Sequence, residues 1–181
     1  MSIVYRMRVT LIRHTSVAVE PGVVYGFTDV DTASTFPEEA ARVDRSIEGE
    51  IFDAVYHSPL SRCRKLAEAC GFPASVPDSR LKELNFGHWE MQRWEAIKDP
   101  VLEQWYGDWV NIPAGGGECF RDQFRRVTEF LNELKKQPFR NVCLFVHSGV
   151  IRCALIYAGR LAVEDAFSVD IPYGSRTDIE L

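Results

Sequence analysis

Two apolar runs, Val9-Thr10-Leu11-Ile12 and Val142-Cys143-Leu144-Phe145-Val146, lie far apart in the chain, and each runs directly into a histidine or an arginine-histidine pair. A short continuous run of this kind predicts a buried β-strand, because its side chains cannot all be solvated without cost. The first run ends at Arg13-His14, followed by the small polar pair Thr15-Ser16; the second ends at His147-Ser148-Gly149. In an open α/β sheet, ligands bind outside the carboxyl ends of the strands. One arginine-histidine pair after a core strand is an ordinary surface feature. A second strand that finishes on a histidine and a small residue is hard to explain by packing.

The segments between these runs alternate in type. A loop of turn-forming residues covers roughly 15–35, and Thr35-Phe36-Pro37-Glu38 offers a capping box for a helix to about residue 48. Residues 52–56 read as a short strand. Ser58-Pro59 then supplies an N-cap and a first-turn proline for a helix over about 59–70, with Leu60, Cys63, Leu66, Ala67 and Cys70 at helical spacing. The middle of the chain, about 80–114, is aromatic and irregular, with short helices expected near 91–98 and 100–109. A long amphipathic helix is expected over 118–136 and another over 150–158. Strand-helix alternation predicts an α/β fold in which helices cover both faces of a mostly parallel sheet, as one domain over 1–181. Parallel strands would bring His14, the start of the Ser58 helix and His147 to one edge.

Bulk properties narrow the function. A hydrophobic content of 46% belongs to a globular chain. A net charge of -5 argues against nucleic acid and anionic membranes as partners, and leaves room for a small anionic substrate in a locally positive pocket. The five cysteines form no CxxC pair, so a structural zinc site is not expected, and no HExxH run supports a metal hydrolase. Residues 1–8 lack the apolar core of a secretory signal, and no stretch approaches the ~20 apolar residues of a membrane helix. A cytoplasmic location with reduced thiols is the expectation.

Candidate chemistry centres on two imidazoles, two guanidinium groups and one carboxyl group. Arg62 lies in the first turns of the Ser58 helix, where free N–H groups favour anions and an arginine adds a bidentate, permanent charge. Glu83 sits between Leu81 and Leu84, and a partly desolvated glutamate can act as a proton donor. A phosphate monoester calls for these parts. Neutral His14 can attack phosphorus and form a phosphohistidine. Arg13, Arg62 and a protonated His147 can hold the oxygens, each such donor being worth ~3–4 kcal/mol in the transition state. Glu83 can protonate the leaving oxygen and later activate water, a contribution of ~10²–10⁴ in rate.

These segments also carry a resemblance. Leu11-Ile12-Arg13-His14-Thr15, Ser58-Pro59-Leu60-Ser61-Arg62-Cys63, Leu81-Lys82-Glu83 with Gly87-His88-Trp89-Glu90, and Val146-His147-Ser148-Gly149 stand in the order seen in the histidine phosphatase, or phosphoglycerate-mutase-like, superfamily. The resemblance implies a three-layer α/β/α fold and a phosphohistidine mechanism with no metal or other cofactor. It makes His14 the nucleophile, Arg13, Arg62 and His147 the phosphate pocket, and Glu83 the proton donor. Within the superfamily the chain is most similar to α-ribazole phosphatases, through Arg13-His14-Thr15-Ser16-Val17, Val24-Tyr25-Gly26-Phe27-Thr28-Asp29 and Phe86-Gly87-His88-Trp89-Glu90. The partner implied is a small phosphorylated substrate, α-ribazole 5′-phosphate of cobalamin synthesis first among them.

The chain departs from the pattern at several places. Thr15 replaces the usual glycine, and the position of a common asparagine phosphate ligand falls on Glu20, so Tyr25 and Thr28 are expected to replace it. Ser148 stands where a first glycine is usual and becomes a candidate phosphate donor. His57 takes a place often held by serine and is expected as an accessory phosphate contact. Cys119 replaces the serine of a Gly-Glu-Ser motif and is not expected to be a nucleophile. One of Trp89, Trp94, Trp105, Trp109 and Tyr106 is expected at the substrate mouth, the rest in the core. Rival readings are a broad-specificity small-molecule phosphatase, a phosphoglycerate mutase and an inactive phosphate-ligand-binding module. Mutases of the superfamily carry an extra closing segment for which this chain is short, and inactive members usually lack a catalytic histidine or arginine, all of which are present here.

Overall fold

The computed structural model describes residues 6–181, so the reading of the first five residues lies outside it. Strand β1 spans Arg8–Arg13, β2 Ala54–His57, β3 Val76–Pro77, β4 Asn141–Val146 and β5 Arg176–Glu180. Helices α1 (Phe36–Ser46), α2 (Ser61–Ala69), α3 (Val101–Gly107), α4 (Phe120–Leu134) and α5 (Ser148–Tyr157) separate them. The strands form one sheet in the order β3-β2-β4-β1-β5, parallel except for β5, which pairs antiparallel with β1. This is an α/β fold with a mostly parallel central sheet. Among the described residues no helix is long and apolar enough to cross a membrane.

The two apolar runs are the central strands, and their alternation separates two cores. Val9 and Leu11 of β1 join Val142, Leu144 and Val146 of β4 in a core shared with α4 and α5. Ile12 joins Cys143 and Phe145 in the opposite core, against α1 and α2. A strand buried on both faces therefore needs no polar side, and replacing a fully buried residue such as Leu11 by alanine is expected to cost ~2–5 kcal/mol. In the parallel register Arg13 stands beside Val146. The backbone N–H of His14 donates to the Val146 carbonyl at 3.0 Å, so the two histidines follow side by side at the sheet's carboxyl edge.

Three expectations need correction, and two strands, β3 and β5, are not anticipated. Helix α2 begins at Ser61, not Pro59, and Leu60 occupies the cap position. Its free N-terminal groups are met by Asp29: the Ser61 backbone and hydroxyl both donate to one Asp29 oxygen at 2.8 Å. The anion at that helix start is thus the protein's own carboxylate. Thr35 makes no capping bond; its hydroxyl donates to Glu39, whose other oxygen accepts from the Ser16 backbone and ties α1 to the loop after His14. The expected helix near 91–98 is one 3₁₀ turn at Trp94–Ala96. Strand β5 has no counterpart in the sequence reading, because only Ile179 of its five residues is buried.

Candidate active site

The carboxyl ends of β1 and β4 open into a cavity of about 200 Å³. Its polar floor is made by Arg13, His14, Glu83, Gln123, Ser148 and Arg152. Its walls are largely aromatic, with Tyr25, Phe86, Trp94, Phe120 and Phe167. Of the aromatic residues considered for the mouth, Trp94 is the one on the wall. Trp89 and Trp105 are buried in a third core beneath it, where Trp105 stacks on Trp94 with centroids 5.6 Å apart.

His14 is buried, and its Nδ1 lies 2.8 Å from the carbonyl of Thr15. A carbonyl only accepts, so Nδ1 carries the hydrogen and Nε2 keeps its lone pair. Burial first, and then the Arg62 charge, hold the ring well below its usual pKa, so it is neutral near pH 7. A neutral imidazole with a free ring nitrogen on a cavity floor is equipped as a nucleophile.

His147 packs edge-on against His14, with centroids 5.1 Å apart. The sequence reading has it protonated. Burial, followed by the charges of Arg62 and its neighbours, instead holds its pKa well below the usual value, so it is neutral here. Its Nε2 hydrogen-bonds with the Ser58 hydroxyl at 2.8 Å, which is where the expected cap of α2 is used.

Arg62 is fully buried. Its two terminal nitrogens donate to the carbonyls of Thr28 at 3.0 Å and Gly26 at 2.7 Å. Gly26 has no substitute, since a Cβ there would lie 1.8 Å from the Leu84 carbonyl oxygen. Arg13 donates to the Ile171 carbonyl, and its guanidinium carbon lies 3.9 Å from the centre of the Tyr173 ring. Arg62 lies 5.3 Å from the Tyr25 ring, and the two tyrosine hydroxyls meet at 2.6 Å. Burial and this bond push the Tyr25 hydroxyl pKa up. Arg13 Nε, Arg62 Nε and Thr15 Oγ1 are buried with no hydrogen-bond partner. Buried donors are almost always paired. Three of the six such unpaired atoms among the described residues fall in Arg13, Thr15 and Arg62, beside His14, where they suit an oxyanion.

Glu83 is expected among apolar neighbours, and its carboxylate is instead surrounded by donors. Gln123 Nε2 reaches Oε1 at 2.9 Å; the Ser148 hydroxyl and the Gly149 backbone reach Oε2 at 3.2 Å. A Cβ at Gly149 would lie 2.2 Å from Oε1, so the glycine is what lets the carboxylate sit there. Ser148 therefore touches Glu83 while also lining the cavity.

Four expected contacts do not line the cavity: Arg62 and His147, both fully buried behind it, and Thr28 and His57. The Thr28 hydroxyl and backbone N–H both donate to Glu90, which also receives the backbone N–H groups of Phe27 and Phe86. Burial opposes ionisation of Glu90, but these hydrogen bonds outweigh it and hold the carboxyl below its usual pKa. Thr28 thus fixes the loop whose carbonyls grip Arg62. His57 is buried in β2 with Nδ1 2.7 Å from the Ser58 carbonyl. Glu20 is exposed, and Cys119, buried with its thiol pKa raised first by burial, is no nucleophile by this geometry. Residues not singled out in the sequence are Gln123, Arg152, Phe167 and Tyr173. Their positions on α4, α5 and the segment before β5 bring them in over long sequence separations, and no local pattern marks them.

Comparison with known proteins gives a consistent placement. Phosphoserine phosphatase 1 of Hydrogenobacter thermophilus is 26% identical over 167 residues, covering 87% of this chain and 78% of that protein. The structure of a phosphoglycerate mutase from Thermus thermophilus is 27% identical with a TM-score of 0.75, covering 95% of this chain and 92% of that one. The α-ribazole phosphatase structure from Shigella flexneri has a TM-score of 0.86 at 24% identity, covering 95% and 89%, a likeness of fold. The family model for the histidine phosphatase superfamily, branch 1, matches residues 9–181, and the chain belongs to that family.

Proposed function

We propose that the protein is a phosphomonoesterase that works through a phosphohistidine on His14, without a metal. The observation that carries this reading is the state of His14: neutral, with Nδ1–H committed to the Thr15 carbonyl and Nε2 free beside two guanidinium groups that hold unpaired buried N–H donors. Nε2 attacks phosphorus in line, the phosphorus–oxygen bond to the leaving group breaks, and Arg13 and Arg62 hold the equatorial oxygens. His147, neutral and hydrogen-bonded through Nε2 to Ser58, packs edge-on behind the nucleophile. Glu83 in its protonated form gives its proton to the leaving oxygen, and the carboxylate so formed then takes one from the water that cleaves the phosphorus–nitrogen bond.

The aromatic wall of Tyr25, Phe86, Trp94, Phe120 and Phe167 favours a flat, apolar leaving group. That supports α-ribazole 5′-phosphate, a ribose phosphate bearing an aromatic heterocycle, as the substrate. One observation favours a second reading. Arg152 lines the cavity as a second guanidinium beside Arg13, and its Nη1 makes no hydrogen bond among the described residues. A cation there suits the carboxylate of a substrate such as phosphoserine.

Hydrolysis by metal-stripped protein separates these readings. A phosphatase releases inorganic phosphate from a nitrophenyl phosphate in chelator; a mutase isomerises phosphoglycerates without releasing it; a binding module does neither. Among natural esters, a kcat/KM at least ~10-fold higher for α-ribazole 5′-phosphate than for phosphoserine supports the aromatic wall as the selector. The reverse order, abolished by Arg152→Met, would transfer that role to Arg152.

A further inference from the structure

Glu83 lies outside every helix and strand, between 3₁₀ turns at Ser79–Leu81 and Gly87–Trp89. A proton donor must be held to within ~0.5 Å of its productive position, and here no strand ladder does so. The support comes from α4. Arg126 uses all five of its N–H groups: Nη1 donates to the carbonyls of Arg80 at 2.8 Å and Lys82 at 2.6 Å, and Nη2 to the Glu83 carbonyl at 2.8 Å and Glu118 Oε2 at 2.9 Å. Nε completes the set with Glu118 Oε1 at 2.8 Å.

Glu118 closes the arrangement from the other side. Its Oε2 accepts the Asn85 backbone N–H at 3.0 Å, and its own N–H donates to the Asn85 carbonyl at 2.8 Å. The pair is mostly enclosed, with side chains 15% and 20% exposed. One turn earlier on α4, Gln123 holds the Glu83 carboxylate itself. The helix thus grips Glu83 at both ends, and Arg126 does not line the cavity. A mostly buried ion pair is weak evidence of net stabilisation, since desolvation offsets its attraction. Its geometry is better explained by what it aligns.

The geometry points to Arg126 as a positioning residue for the proton donor, with Glu118 as its counter-charge: the guanidinium fork sets where the Glu83 carboxyl stands relative to the leaving oxygen. This rests on Glu83 being the acid. A lysine cannot replace the fork, because one ammonium with three donors cannot span three carbonyls and a carboxylate.

The test compares two leaving groups. An activated nitrophenolate leaves without a proton, whereas an alkoxide needs one. Arg126→Gln and Arg126→Lys should lower kcat/KM on an alkyl phosphate by ~10²-fold, and on nitrophenyl phosphate by less than ~5-fold. Adding either change to Glu83→Gln should bring no further loss on the alkyl ester. Equal losses on both esters, or losses that add to those of Glu83→Gln, overturn the proposal. Glu118→Gln keeps the shape and removes the charge, and it should give the same split on a smaller scale if the Arg126 variants do not fold; an equal loss on both esters would again contradict the role. Glu83→Gln alone is the control: if it shows no split, the assignment of the acid fails, whatever Arg126 does.

Discussion

The floor of the cavity and its far wall are built by different physics. His14, Arg13 and His147 stand at the ends of β1 and β4, whose residues 9–12 and 142–146 are wholly buried and laddered in register. Glu83, Leu84, Phe86 and Trp94 come from the middle segment, which has only 3₁₀ turns and the short α3. There, isolated carboxylates replace the ladder as organising centres. Glu90 gathers the backbone N–H groups of Phe27, Thr28 and Phe86, Glu118 pairs with Arg126, and Asp99 takes the Trp89 Nε1 and Val101 N–H groups. The strand ends are positioned by apolar burial, which tolerates exchange of one aliphatic residue for another. The far wall depends on single charged groups, each serving several donors or acceptors, where one substitution releases several partners at once.

The largest expected effect lies on the strand-end side. His14→Ala should lower kcat on nitrophenyl phosphate by at least ~10⁴-fold, measured by initial rates, because the covalent step has no second route. The same variant should change the pH dependence of stability. A histidine whose folded pKa is depressed lets the unfolded chain bind more protons, so stability is full above the unfolded value near 6.5 and falls as pH drops below it. Urea melts at pH 7 and pH 5 should show a smaller drop for His14→Ala than for the native chain. An equal drop would mean that the ring is not held neutral.

Next comes the far wall's central carboxylate. Glu90→Ala leaves three backbone donors and the Thr28 hydroxyl without their acceptor, and so frees the loop that grips Arg62. A fall of ~10–10²-fold in kcat/KM is expected, equal for good and poor leaving groups, because phosphate binding and not protonation is disturbed. That equality is the contrast with Arg126. In the native chain the depressed Glu90 carboxyl adds stability that is present above its usual value of 4.5 and lost as pH falls toward the folded value. Acid titration of the variant should lack that component.

The smallest effect probes the junction of the two regions. In Gly149→Ala the new Cβ would meet Glu83 Oε1 at 2.2 Å and Gln123 Nε2 at 2.7 Å. The carboxyl must shift, and a loss of ~10-fold on an alkyl phosphate is expected with little change on nitrophenyl phosphate. Initial rates on the two esters decide it. An equal loss on both esters would place Gly149 against the phosphate and not the carboxyl group of Glu83.

The same contrast explains what could be read from the sequence. Strands β1 and β4 are legible because their runs are apolar throughout, and the convergence of His14, His147 and Arg13 follows from parallel pairing alone. Arg62 is legible as a cation near that edge, but by the wrong route. Ser58 serves His147 instead of capping α2, and Asp29 takes the helix start, which no spacing within 58–62 announces. Glu83 is found by resemblance, while its true surroundings come from Gln123, Ser148 and Gly149, 40 to 66 positions away. Thr28 and His57 show the limit of position-by-position transfer. Both stand near the site in sequence, but Thr28 turns its hydroxyl to Glu90 and His57 turns Nδ1 to the Ser58 carbonyl.

A covalent bond between His14 Nε2 and phosphorus sets the proposed reaction apart, and rapid denaturation during turnover detects it. Quenching the metal-stripped enzyme in alkali with phosphorus-labelled substrate, followed by proteolysis and mass spectrometry, should find one phosphoryl group on the peptide containing His14, stable to base and released by acid. A label that survives acid, that maps to Ser148 or another residue, or that appears unchanged in His14→Ala would contradict the account.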